Sequence, residues 1–367
     1  MIDTVTRGFG SPLRYIQGPG EFENLAAYTK PYGRACILID GFLYSGLEER
    51  LKNIYECSEY CSICFEGECC REEAERICAD ARNEKSTVFI GVGGGKTLDT
   101  AKICADELGL PLMIIPTSAS TDAAVSEIAV LYSKDGVYQG SRKLRRNAEL
   151  VLVDTEIIVK APKRLFVAGI GDALATCFEA KTCDRTDSPN YIAAGLKRCK
   201  AGMAIAQACE EILFADAENA LLALDAGVPT EAFENIVEAN VLLSGLGFLN
   251  TGLAAAHGIH SGLTALPEAH GALHGEKVAF GIVCQLVLEN QPQEIVDKTL
   301  RFMVKIGLPV TLRQMKIEKN EKNIKLIAEK TAGGPLVHHE DRFVSAETLY
   351  HIITAADALG EKYLSAD

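Results

Sequence analysis

Four of the chain's seven histidines, His257, His260, His270 and His274, crowd into one stretch, AAAHGIHSGLTALPEAHGALHGEKVAFG. Neutral imidazole is the commonest metal ligand in proteins. A dense run of it within apolar and glycine-rich sequence suggests a metal site rather than a solvated surface. Spacing alone leaves a plainer reading open, because His257 and His260, three residues apart, could share a helix face for packing.

A second concentration of chemistry-bearing residues is GVGGGKTLDTAK, which follows the apolar run TVFI and opens a helix. Gly91, Gly93, Gly94 and Gly95 let the main chain approach a bound group with no Cβ in the way. The helix start adds free N–H donors and a positive dipole end. Together these describe a diphosphate cradle; a tight strand-to-helix turn needs only one or two glycines. Neither stock fingerprint fits. A P-loop needs glycine where this chain has Ile90, and GxGxxG fails at Lys96. Asp40 ends an earlier strand. A carboxylate there could bind an adenosine ribose diol and repel a 2′-phosphate, although a strand-end turn explains it equally well.

These groups must be held by a scaffold, and 367 residues suggest two domains. Hydrophobic residues at 48% and charged residues at 24% describe an ordinary globular chain. A net charge of −13 argues against nucleic-acid or membrane-surface partners. MIDTVTRGFGSPLRY lacks the apolar core of a secretory leader, and no apolar run reaches bilayer length. The expected location is therefore the cytoplasm, where thirteen cysteines would be reduced thiols. Six of them lie close together: Cys57, Cys61, Cys64, Cys69, Cys70 and Cys78. Cys61 and Cys64 form a CxxC, but no matched pair follows it. YCSICF also reads as a strand, on which residues three apart point to opposite faces. Most of these cysteines are expected to be small apolar fillers.

The first part of the chain alternates strand and helix. RACILID (34–40), EYCSICFEG (59–67) and AELVLVD (148–154) read as strands, and PLMIIPTSAS (111–120) as a strand with a loop. SGLEERLKNI (45–54) and REEAERICADARNE (71–84) read as helices, and residues 86–109 as strand, glycine turn and helix. Continuous apolar strands alternating with helices predict a parallel sheet covered by helices. Residues 126–143 suggest a hairpin turning at Asp135-Gly136. Beyond position 160, Ala, Leu and Glu recur with helical period, which predicts an all-α second domain. The expected division is 1–160 and 161–367.

Along nearly its whole length the chain resembles the metal-dependent, iron-containing (group III) alcohol dehydrogenases. The resemblance rests on GVGGGKTLDTAK, PTSASTDAAVSEIAVLY, LVLVDTEIIVKAP, GIGDALATCFEA, LLSGLGF and the histidine-rich stretch, in family order. It implies a dehydroquinate synthase-like fold: an N-terminal α/β domain with a parallel sheet that binds NAD, an all-α C-terminal domain, and an active site between them. It implies a divalent metal held by Asp172, His257 and His274. Iron-binding members add a histidine where this chain has Thr176, so three ligands and an open position point to zinc. His270 falls in a variable loop and is left out. His260 is implied as a proton relay, with packing an equal alternative.

The same resemblance assigns Gly93, Gly94, Gly95 and Lys96 to the diphosphate. It places Thr117, Ser118, Ser120, Thr121, Ser126, Ile128 and Tyr132 around the nicotinamide and its ribose. Asp122 would hydrogen-bond substrate hydroxyls as a catalytic and substrate-binding residue, and Phe248 would line the substrate pocket. The implied reaction is NAD-dependent oxidation of a small polyol, glycerol giving dihydroxyacetone, by a cytoplasmic homo-oligomer, an octamer being one form. Ala124 stands where the family often has proline, and Leu249-Asn250-Thr251 stand where polyol-oxidising members carry polar residues. The alternatives are a polyol-phosphate or hydroxy-acid dehydrogenase, or a dehydroquinate-synthase-type lyase. A lyase or phosphate-reading enzyme needs a basic pocket, for which Lys160, Lys163, Arg164 and Lys277 are too scattered. A P-loop hydrolase fails at the glycine turn.

Overall fold

The structure is a computed structural model that describes residues 6–193 and 196–365. Its contacts group the chain into two units, and neither unit is one continuous stretch. One holds Ser11–Pro162 with Ala223–Leu242; the other holds Met1–Gly10, Lys163–Leu222 and Leu243–Asp367. The boundary expected at 160/161 lies beside the change at Pro162. The segment 223–242 departs from the expected division, because its helix packs on the sheet unit.

Strands frame the first unit, and the apolar ones among them supply its core. In chain order they are β1 (Tyr15–Gly18), β2 (Ala35–Asp40), β3 (Tyr60–Phe65), β4 (Val88–Gly93), β5 (Leu112–Pro116), the hairpin strands β6 (Ile128–Tyr132) and β7 (Tyr138–Lys143), and β8 (Leu150–Asp154). Helices α1 (Tyr44–Ile54), α2 (Arg71–Asn83) and α3 (Gly95–Leu108) connect them. Six strands form one parallel sheet in the order β1-β8-β5-β4-β2-β3. β2, β4, β5 and β8 are buried on both faces, as their unbroken apolar runs require. On one face Ile37, Ile39, Val88, Ile90 and Val92 pack with Phe22, Leu25, Leu47 and Leu51. Chain order reverses between β2 and β4, and α/β sheets bind ligands beyond the strand ends at such a switch point.

β1 was not visible in the sequence. Its four residues, YIQG, are only partly buried and pair with β8 at the sheet edge. The hairpin is as expected: β6 and β7 run antiparallel, and Gly136 takes the positive φ (77°) that its turn requires. The cysteines divide. Cys69, Cys70 and Cys78 are buried fillers, while Cys57 is exposed and Cys61 and Cys64 are partly exposed. Opposite Cys61 on the neighbouring strand lies Cys36.

The remaining helices are α4 (Lys163–Arg185), α5 (Lys200–Ala226), α6 (Glu231–Glu238), α7 (Ser244–Thr251), α8 (Ala255–Leu263), α9 (His274–Leu288), α10 (Gln293–Lys305), α11 (Glu321–Ala332) and α12 (Ala346–Leu364). α6 belongs with the sheet. Glu234 accepts hydrogen bonds from Gln17 on β1 (2.6 Å) and Thr155 after β8 (2.6 Å). Glu231–Thr251 is long and apolar enough to span a bilayer by length and composition, with a mean hydropathy of 1.2. This corrects the expectation that no apolar run reaches bilayer length. In the fold, 67% of that apolar window is buried, as in a core helix.

α4, α8 and α9 pack unusually closely because glycine replaces a side chain at their contacts. A Cβ on Gly275 would lie 1.7 Å from the Ala168 carbonyl oxygen, and one on Gly171 would lie 2.6 Å from that of Gly275. A Cβ on Gly281 would lie 2.2 Å from the Ala256 carbonyl oxygen. The residues beside these contacts are Asp172, His257 and His274.

Candidate active site

In the helical unit, α4 carries Asp172, Thr176 and Glu179 at spacings of four and three, so the three share a face. α8 carries His257 and His260, and His274 is the first residue of α9. His257 Nε2 lies 3.3 Å and His274 Nε2 3.1 Å from Asp172 Oδ1. The three residues' donor atoms all fall within 4.8 Å of one another. Asp172 is 1% exposed, and its Oδ2 is buried with no hydrogen-bond partner.

Glu179 orients this group. It is fully buried, and its Oε2 accepts from His257 Nδ1 at 2.7 Å. Its Oε1 accepts from the main-chain N–H of His257 and of Ala254, each at 2.9 Å. With a proton on Nδ1, the other ring nitrogen of His257 faces Asp172. Burial alone would raise Asp172, but the His274 and His257 rings hold it far below the ordinary carboxylate range. Burial likewise lowers His257, and Glu179 and Asp172 more than reverse this. Two imidazole nitrogens aimed at a carboxylate require positive charge between them, as ring protons or as a divalent ion. The unpartnered Oδ2 fits the ion, since a buried carboxylate oxygen without a donor is costly.

His260 stands ring to ring with His274, centroids 4.2 Å apart. Burial, then the neighbouring His274, His257 and Lys277, lowers its pKa well below the ordinary histidine value, which keeps it neutral. His270 is exposed in the turn Pro267–Gly271, outside this cluster. Phe248, on α7, is buried edge-on to Tyr191 at 5.9 Å.

In the sheet unit, Asp40 and the glycine turn meet at the switch point. Asp40 Oδ2 accepts from Thr97 Oγ1 (3.1 Å) and Oδ1 from the Phe42 N–H (3.0 Å). Gly91 and Gly93 are needed for packing, because a Cβ would meet Ala101 at 2.5 Å and Thr97 at 2.7 Å. Gly94 is different: it has an ordinary φ of −84°, and a Cβ there would meet nothing within 4 Å. No side chain caps α3 at this point. Open space over uncapped N–H donors is what a phosphate cradle needs. Lys96 instead turns to Glu68 (2.8 Å) and lies over the Tyr132 ring, which leaves main-chain N–H groups as the donors at this turn.

The loop after β5 lies beside this turn. Thr117 N–H donates to the Gly93 carbonyl (3.1 Å), and the Ser118 and Ser120 hydroxyls pair at 3.1 Å. Thr121 Oγ1 is the nearest atom to a Cβ on Gly95, at 3.8 Å. Ser126 is buried, with its hydroxyl on the Ala123 carbonyl. Asp122 begins the short turn Ala123–Val125 and is partly exposed. Lys102, which the sequence reading passed over, pins this loop. Its buried ammonium reaches Asp99 (3.0 Å) and the carbonyls of Ala123 and Ile128 (each 2.7 Å).

The profile of iron-containing alcohol dehydrogenases matches residues 12–155. A glycerol dehydrogenase of Escherichia coli O6:H1 is 40% identical over 361 residues, covering 96% of this chain and 97% of that protein. The chain belongs to the iron-containing alcohol dehydrogenase family. The crystal structure of a probable glycerol dehydrogenase from Sinorhizobium meliloti 1021 superposes with a TM-score of 0.92 at 44% identity, covering 98% of this chain and all of that one. A glycolaldehyde reductase of Halobacterium salinarum is 36% identical over 363 residues, covering 98% of this chain and 99% of that protein. The chain is thus an oxidoreductase of this family, with its α/β and helical parts.

Within the family, two departures now have structural explanations. The Thr176 hydroxyl pairs with Ser244 at 3.0 Å, inside the helix contact. Leu249, Asn250 and Thr251 are fully buried. Asn250 Oδ1 accepts from the Gly10 N–H (2.7 Å) and its Nδ2 donates to the Gly10 carbonyl (2.9 Å), so it serves the fold by fastening the N-terminal segment. Two of the four basic residues considered for a substrate phosphate are engaged: Arg164 with Glu276 (2.6 Å) and Lys277 with the Ala272 carbonyl (3.1 Å).

Proposed function

We propose that the chain oxidises a small vicinal diol, glycerol in particular, to the hydroxyketone, dihydroxyacetone, using NAD+ and a zinc ion held by Asp172, His257 and His274. The observation that carries the proposal is the convergence of those donors around a carboxylate oxygen with no partner of its own. Similarity to glycerol dehydrogenases over nearly the whole chain supports the substrate. One carboxylate and two imidazoles suit zinc with an open position, and Thr176 offers no fourth nitrogen.

When bound, the metal supplies Lewis acidity toward an alcohol oxygen, and NAD+ accepts hydride. The chain's residues do the rest. Glu179 holds His257 in one tautomer and one orientation. The uncapped start of α3 takes the diphosphate, and Gly94 keeps its approach clear. Asp40 accepts from a ribose diol and repels a 2′-phosphate, favouring NAD over NADP. Asp122 accepts from the substrate's second hydroxyl. His260, neutral and against His274, carries a proton away.

The deciding assay is NAD+ reduction across glycerol, 1,2-propanediol, ethanol and a 2-hydroxy acid, before and after chelation. Diols should lead, a chelator should abolish turnover, and zinc should restore it. A leading rate with ethanol or the hydroxy acid, or turnover by metal-free protein, would overturn the reading. The likeness to a glycolaldehyde reductase favours a second activity, reduction of a small hydroxyaldehyde by NADH.

A further inference from the structure

Two cysteines distant in sequence are brought together on the sheet. Cys36 on β2 and Cys61 on the edge strand β3 are register partners in a parallel pair. Register partners point to the same face of a sheet, and the Ser86 hydroxyl lies 3.6 Å from Cys61 Sγ. Neighbouring strands run about 4.8 Å apart, within the roughly 4.4–6.8 Å between Cα atoms that a disulfide spans. The two differ in access. Cys36 is 0% exposed, whereas Cys61 lines an open groove of about 400 Å³ with Ser62, Cys64, Arg76, Asp80 and Glu84.

A second thiol pair provides the contrast. Cys78 Sγ on α2 lies 3.9 Å from the Cys104 carbonyl on α3, but both cysteines are buried. A reagent arriving from solvent meets Cys61 and not that pair. The CxxC partner, Cys64, lies on the opposite face of the strand from Cys61.

We propose that Cys36 and Cys61 form an oxidisable dithiol, with Cys61 the reacting thiol, Cys36 the resolving thiol and a small hydroperoxide the oxidant. The Cys61 thiolate attacks the outer peroxide oxygen. The O–O bond breaks, an alcohol (water, for hydrogen peroxide) leaves with a proton, and Cys61 becomes a sulfenic acid. The Cys36 sulfur then attacks the Cys61 sulfur, the S–O bond breaks, and water leaves. Two thiols and one hydroperoxide give one disulfide, one alcohol and one water, a two-electron oxidation of the pair. Hydrogen bonds from Cys36 and Ser86 draw the Cys61 thiol down to about 7 against its burial, which favours the attacking thiolate. The bond would tie the edge strand to β2, four residues before Asp40.

The test uses the full chain exposed to graded hydrogen peroxide, alkylated, digested and mapped by mass spectrometry. A linked peptide joining Cys36 to Cys61 should appear at doses where Cys78 and Cys104 remain fully alkylated. Cys36→Ser should leave a sulfenic acid on Cys61 that a dimedone probe captures, and Cys61→Ser should leave Cys36 reduced. The wild-type map decides the matter even if a variant fails to fold. Cys36 and Cys61 both alkylated after the exposed Cys57 has oxidised would overturn the proposal. So would a Cys61–Cys64 link, or Cys78–Cys104 forming first.

Discussion

His257 has two ring nitrogens, and Glu179 determines which of them faces Asp172. A carboxylate behind a ligating histidine fixes its ring and raises its basicity, and losing one typically costs about 10–100-fold in metal affinity. Glu179→Gln keeps the shape but can donate where a carboxylate only accepts. Zinc titration of the metal-free variant against a chromophoric chelator should show affinity lower by that factor. Unchanged affinity would make Glu179 a packing residue. On the proposed function Asp122 bears on the substrate instead. Loss of one charge-assisted hydrogen bond costs roughly 1.5–3 kcal/mol, about ten- to a hundredfold in rate. Asp122→Asn should lower kcat/KM for glycerol by about that much, harm a monohydric alcohol far less, and leave zinc content unchanged. Equal losses on both alcohols would mean that Asp122 supports the site generally. Asp172, His257 and His274 could be named from motifs. Glu179 could not, because seven residues along a helix means a shared face only once the partner helix is known.

Helix contacts determine whether those donors meet at all. Gly275 and Gly171 let α4 and α9 touch backbone to backbone, and Gly281 does the same for α9 and α8. A methyl at 275 has nowhere to go, since the neighbouring carbonyl is main chain and cannot rotate away. Gly275→Ala should part α4 from α9, destabilise the fold by about 1–3 kcal/mol as an overpacked core does, and release zinc at lower chelator concentration. Thermal melting with metal analysis would check both; a stable variant with full zinc occupancy would contradict the packing argument. At this scale the sequence was most legible where apolar runs were long: β2, β4, β5 and β8 and their helices appeared within a residue or two. It was silent for β1, whose four residues carry no pattern. It was also silent for the glycine contacts, since a helical glycine looks the same whether it meets a backbone or solvent.

Across the whole molecule, a buried carboxylate that is not one of the three donors ties stability to pH. Glu340 is buried beside Glu289, with Arg185 at 4.0 Å and one carboxylate oxygen lacking any donor. Burial, then the Glu289 charge, pushes it from 4.5 up to about 8, with Arg185 pulling the other way. The folded state therefore holds this proton more tightly than the unfolded chain. Its stabilisation is complete below about pH 4.5 and fades as pH rises through about 8. Glu340→Gln mimics the neutral acid. It should melt near the wild type at low pH and above it at about pH 9, and parallel melting curves would show that Glu340 does not carry the effect. Periodicity suggests a single division at 160/161 and does not show the return of residues 223–242 to the sheet, because an amphipathic helix does not declare which surface it covers.

That return has a consequence for how the protein can be handled and assembled. A gene cut at the sequence boundary would yield two fragments, each missing part of its own structure. The first would lack Glu234, which braces Gln17 and Thr155, and Asn240, whose amide holds the Ala119 carbonyl at 3.0 Å beside the glycine turn. The second would lack Gly10, the partner of Asn250. Ribosomal synthesis meets the same obstacle, since the sheet unit cannot close until the chain has grown past residue 242.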